Sequence, residues 1–186
     1  NGKMIETIEN NIFSNEVFSK EVIVKNAQKF TVKGSKESVS GVSFLKVSKL
    51  PKLLWKDDKK PVDLNVVYYF ISLFSITKSS IPSTEGKQVA QFFDKDSLSE
   101  FAKEIYNRWD KDTKTKWIFG IISAFGGNYF VPIFKKQIVE LVDNNRGTMA
   151  AVLVESMALT GTSLALQTVD YISRKEKHKQ VKGAAF

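Results

Sequence analysis

Two stretches of the sequence carry residues that could handle a charged ligand. Lys114 and Lys116 flank Thr115 ahead of an apolar run, and Arg174-Lys175-Glu176-Lys177-His178-Lys179-Gln180-Val181-Lys182 sets the single histidine in a basic turn. A basic turn at a helix start could hold an anion, because backbone N–H groups and the helix dipole add to the side-chain charge. Exposed charge runs are more often a solvated face between helices, and that reading is favoured here. Lys114, Lys116, Lys175, Lys177, His178 and Lys179 are the positions from which contact with an acidic partner is expected.

Other constellations have structural readings. Asp94 with Asp96, and Asp110 with Asp112, are carboxylate pairs. A calcium site needs six or more oxygen donors, and neither pair sits in a loop with the Gly and closing Glu that such a site uses. Both pairs flank expected helix ends, so capping is their predicted role. Trp55, Trp109 and Trp117 could line an aromatic pocket, but aromatics on apolar stripes belong in a core. The chain has no Cys and one His. That excludes thiol nucleophiles, disulfides, zinc–thiolate sites and any site needing two imidazoles. Gly126-Gly127 lacks the spacing of a phosphate-cradling loop, and no nucleophile-elbow pattern occurs. The chain is therefore read as non-enzymatic, with no catalytic, cofactor-binding or metal-ligating residue.

Charge narrows the partners. The 186 residues carry a net charge of +8, built on 28 basic and 20 acidic side chains. Arginine supplies only Arg108, Arg146 and Arg174. Phosphate and base readers lean on arginine forks, so nucleic acid is the less favoured partner and a protein, or another domain of the same chain, the favoured one. No run of 18 apolar residues is present, so no membrane-spanning helix is expected. The absence of cysteine and of a signal-peptide pattern fits a cytoplasmic protein.

Apolar periodicity predicts helices almost throughout. One or two helices are expected over residues 4–31, a polar loop over 31–42, and a short helix from near Leu50 with Pro51 in its first turn. Further helices are expected over 62–77, 85–93 and 98–109, the last with Leu98, Phe101, Ala102, Ile105 and Trp109 on one stripe. The pattern continues with helices over 114–125, 129–142, 146–159 and 163–174, the last covered by Leu164, Leu166, Val169 and Ile172. A final helix begins after Lys175. Gly127 and Gly161 lie 34 residues apart, and each closes one apolar helix just before the next. Helix, turn, helix, turn at that period is the rhythm of an α-solenoid, and an ordinary helical bundle has similar loop lengths.

Several segments carry a family resemblance. They are Leu50-Pro51-Lys52-Leu53-Leu54-Trp55, Asp96-Ser97-Leu98-Ser99-Glu100-Phe101-Ala102, Trp109, Lys114-Thr115-Lys116-Trp117 and Phe125-Gly126-Gly127. Met157-Ala158-Leu159-Thr160-Gly161-Thr162-Ser163-Leu164 and Ser173-Arg174-Lys175-Glu176-Lys177-His178-Lys179 complete the series. In that order and spacing, residues 50–186 resemble the helical-repeat region of large bacterial MolR-like proteins, which carry a domain of unknown function and often a WGR domain. The resemblance implies an all-α fold, an α-solenoid of antiparallel armadillo/HEAT-like hairpins, working as a scaffold within a longer protein. Residues 1–49 then form an N-terminal helical segment with a polar loop, and 50–186 the repeat domain. The alternative is a nucleic-acid-binding repeat acting with a WGR-type domain elsewhere in the parent. No Trp-Gly-Arg sequence occurs in this chain, so a role tied to that domain does not carry over.

Overall fold

Short polar residues cap some of the helices, and apolar stripes hold them together. The computed structural model describes residues 18–32, 42–175 and 178–185. Its α-helices are α1 (Lys20–Val32), α2 (Leu64–Ser75), α3 (Thr84–Ala90), α4 (Lys95–Asn107), α5 (Ile118–Phe125), α6 (Phe130–Asp143), α7 (Gly147–Thr160), α8 (Ser163–Lys175) and α9 (Lys179–Ala184). Among the described residues there is no strand, only the isolated bridges Leu54 to Pro61 and Trp55 to Phe93. The fold is all-α. Residues 4–17 of the helices expected over 4–31, most of the 31–42 loop, and Lys177 lie outside the described residues.

The capping expected of Asp94 is observed, and Ser83 and Thr162 cap two further helices. Asp94 accepts the Ser97 N–H at 3.0 Å and opens α4, Ser83 opens α3 through the Gly86 N–H, and Thr162 opens α8 through the Ala165 N–H. Each satisfies an amide that the helix cannot pair internally. Gly127 and Gly161 take φ of +56° and +69°, a left-handed conformation that glycine adopts without a Cβ penalty. Two further left-handed residues, Lys111 and Asn145, fall in the turns before α5 and α7 and are also 34 residues apart.

Packing alternates along the chain. Helices α4 and α5, α6 and α7, and α8 and α9 meet as consecutive pairs, while α5 packs on α7, α7 on α9, and α6 on α8. Tyr106 of α4 reaches α6, with its ring 5.3 Å from Phe130 and 5.7 Å from Phe134. At the other end α2 packs against α1, α3 and α5. Phe70, Phe93, Phe101, Phe119 and Phe134 are wholly enclosed in one continuous apolar core. Full burial of a large apolar side chain stabilises by roughly 1.5–3 kcal/mol, so each of these rings contributes substantially to the core.

Three expectations are corrected. The segment from Leu50 is not helical: it runs extended, with the Leu53 carbonyl accepting from Val62 N–H and the Leu54 carbonyl from Asp94 N–H. Pro51 does not start a helix because the following residues pair across to the 59–62 and 92–94 segments. The helix expected from Lys114 begins at Ile118. Asp112 accepts the Lys114 N–H, and Thr115 donates to Asp110, which holds residues 113–115 in a 3-10 turn. On α8, Ala165, Val169, Ile172 and Ser173 face inward, whereas Leu164 and Leu166 are about half exposed. The inward set is spaced i, i+4, i+7 and i+8, so positions one residue either side of Ala165 turn about 100° away from that face.

Candidate functional site

The positions singled out by charge sit in turns. Lys114 is exposed and Lys116 half-buried, both between α4 and α5. Lys175 ends α8, His178 precedes α9, and Lys179 opens it. The two groups are not adjacent, because the α6–α7 turn lies between them. That turn joins both. Arg146 donates from Nη2 to the Lys111 carbonyl at 2.8 Å, linking it to the α4–α5 turn. On its other side the His178 ring packs directly over Gly147, where an added Cβ would stand 2.0 Å from Cε1.

The same device recurs one step earlier. Arg108 closes α4 and donates from Nη1 to the Leu45 carbonyl at 2.7 Å and to the Lys46 carbonyl at 3.2 Å. Its Nη2 reaches the Lys49 carbonyl at 2.7 Å, and its Nε pairs with Glu104 at 2.7 Å. The Arg108 side chain holds the Glu104 carboxyl below the usual carboxylate range. Four turns thus run in contact along one edge: residues 43–49, 108–116, 143–148 and, through His178, the start of α9. Sequence reasoning missed the role of these arginines; the signal available was their rarity in a chain that otherwise uses lysine.

The edge is cationic and open. Lys46, Lys49, Lys111, Lys114, Arg146, Lys175 and Lys179 are all exposed. Among the described residues, the ion pairs made by lysine lie elsewhere, as in Lys103 with Glu100, Lys136 with Glu140 and Lys20 with Asp57, while on the edge Arg108 pairs with Glu104. None of the edge lysines takes part in one. The carboxylates of this region serve the backbone: Asp110 accepts from the Asp112 N–H and the Thr115 hydroxyl, and Asp112 from the Lys114 N–H. Asp94 is a cap as well, paired with Lys59.

The tryptophans are core residues. Trp55, Trp109 and Trp117 are buried. Trp109 donates to the Thr115 hydroxyl at 3.1 Å and stands edge-on to Phe119 at 4.9 Å. A shallow cavity of about 190 Å³ lies between α1 and the start of α2, lined by Val24, Ala27, Gln28, Asp63 and Asn65, with Asp63 its one charged residue. No group of three or more His, Asp or Glu with metal-site geometry occurs among the described residues. No single helix among them is long and apolar enough to cross a membrane. Comparison with protein-family models finds no match, and comparison with curated proteins and with solved structures finds none.

Proposed function

We propose that this chain is a non-catalytic interaction scaffold. Its helical hairpins are read as an α-solenoid of the armadillo/HEAT type, the repeat region of a longer MolR-like bacterial protein. The observation that carries this reading is the alternation of packing, with each helix from α4 onward meeting its chain neighbour and the helix two places away. Left-handed residues recurring at 34-residue spacing, Lys111 with Asn145 and Gly127 with Gly161, support the same reading. A stack of this kind spends its apolar surface on neighbouring hairpins and leaves turns and helix faces for partners. The polar residues with chemical potential are engaged in caps and turns, which supports binding over catalysis.

The test is cross-linking mass spectrometry on the parent protein in its own cells, with and without nuclease. A scaffold predicts a protein, or another domain of the same parent, cross-linked to this stack in both samples, and re-formation of that complex from purified components. Contacts that vanish on nuclease treatment would replace this reading with nucleic-acid binding.

A further inference from the structure

The geometry points to the turn edge as a docking track for an extended acidic polypeptide that runs across successive turns. This inference rests on the scaffold reading and names the class of partner. Three observations carry it. The turns are physically continuous, tied by Arg108 to the 43–49 turn, by Arg146 to Lys111, and by His178 packed on Gly147. Each turn offers exposed cations: Lys46 and Lys49, then Lys111 and Lys114, then Arg146, then Lys175 and Lys179. None of those lysines takes part in an ion pair among the described residues, as Lys103 and Lys136 on the helix faces do.

The details favour polypeptide over nucleic acid. Arg108 spends its guanidinium on three backbone carbonyls and a carboxylate, and Arg146 donates to a fourth carbonyl. The Arg108 fork that would grip phosphate is thus used inside the protein, and Arg146 has its Nη2 engaged there. No large exposed apolar or aromatic side chain lies on the edge, so it lacks the stacking platforms on which single strands bind. Exposed Asp110, Asp112 and Asp143 interrupt the lysines. A continuous phosphate backbone would meet them, whereas a peptide can place its carboxylates between them.

Spacing gives the register. Packed helices stand about 8–10 Å apart, and an extended chain advances about 3.3 Å per residue. One acidic residue in every three therefore meets one turn.

The probe is a fluorescein-labelled peptide of about twelve residues with glutamate at every third position, titrated at low salt by anisotropy. A second peptide of the same composition has its glutamates in one block, and a single-stranded RNA carries matching charge. The spaced peptide is expected to bind most tightly. Lys111→Glu/Lys114→Glu/Lys179→Glu is expected to weaken it at least about tenfold, and Lys25→Glu/Lys87→Glu/Lys95→Glu, off the edge, less than about twofold. The milder Lys111→Gln/Lys114→Gln/Lys179→Gln set, read beside the thermal midpoint, separates lost docking from lost folding and should cost at least about threefold. Equal losses from edge and off-edge sets would overturn the proposal, as would tighter binding of RNA. A partner cross-linked to some other face would leave the scaffold reading standing and sink this one alone.

Discussion

The Nη2 group of Arg146 donates to the carbonyl of Lys111 at 2.8 Å, and so ties the α6–α7 turn to the α4–α5 turn. Lys111 is left-handed, with φ of 60°, and so is Lys46, with φ of 47°, whose carbonyl accepts from Arg108. Chain leaving a helix or a tight turn presents carbonyls that no helical amide can reach, and they need a donor from elsewhere. In both turns that donor is an arginine from the next turn along the edge. Adjacent hairpins are thereby held in register at the rim as well as through the core.

The two staples should differ in weight. Arg108 makes four polar contacts from a largely covered position, with 22% of its side chain exposed. Arg108→Ala should cost about 1.5–3 kcal/mol, the range for hydrogen bonds from a charged donor. Arg108→Lys should not recover it, since an ammonium lacks the fork that spans separate carbonyls. Arg146→Ala removes one bond at the surface and should cost about 1 kcal/mol or less. Urea unfolding of the three variants decides this; equal losses at both arginines would contradict the staple account.

Gly147 is required by the ring above it. A Cβ there would meet His178 Cε1 at 2.0 Å and Nε2 at 2.5 Å, so Gly147→Ala must push the ring and the start of α9 away. The expected loss is about 1–3 kcal/mol, typical of overpacking, together with faster amide exchange across Lys179–Ala184. Gly147→Ala/His178→Ala should regain most of it by making room. Gly183→Ala, with nothing within 4 Å of an added Cβ, should be neutral or stabilise by about 0.5–1 kcal/mol. If the Gly147→Ala loss survived removal of the ring, its cause would lie elsewhere.

What could be read from sequence follows the range of the forces involved. Helix α4 was legible over its body: an Asp94 cap and a stripe of Leu98, Phe101, Ala102 and Ile105 act within one element, and all four are buried, whereas Trp109, expected to close the same stripe, lies beyond the helix end at Asn107. The left-handed roles of Gly127 and Gly161 were legible for the same reason. The Pro51 segment was not, because its extended form depends on carbonyls and amides from residues 59–62 and 92–94. Leu164 and Leu166 misled because apolar type alone does not reveal which side of α8 faces α6 and α7. At the candidate site, lysine density pointed to the α4–α5 and α8–α9 turns. The connecting turn at Arg146 stayed hidden, since its meaning comes from a carbonyl 35 residues away.

Asp94 is an acid-sensitive cap at the start of α4. Its carboxyl is held below the usual value by the Lys59 ammonium and by the Ser97 amide. A carboxylate with a depressed folded pKa contributes stability above the unfolded value of about 3.9, and that stability is lost as pH falls through the folded value. The unfolding midpoint in urea should therefore fall as pH drops below about 4. Asp94→Asn keeps the cap, because Asn also accepts at that position, and removes the charge. It should flatten the acid limb without shortening α4, as followed by circular dichroism; an unchanged limb would show that Asp94 is not coupled to Lys59.

Tyr106 tests the contact between α4 and α6 from the alkaline side. Its hydroxyl bonds Gln137, and burial, then the Glu140 carboxylate and Tyr129, push its pKa up to about 12. A phenol whose folded pKa is raised binds its proton more tightly in the folded state, so stability declines as pH climbs from the unfolded value of about 10 towards about 12. Ultraviolet titration should show a phenolate that forms only near the top of that window, and Tyr106→Phe should remove that late step. The same variant should cost about 1 kcal/mol at neutral pH, the net worth of one buried hydrogen bond, because the ring packing on Phe130 and Phe134 is retained. A late step that survives the substitution would place the raised phenol at another tyrosine; Tyr69, pushed upward by burial, is the next to examine.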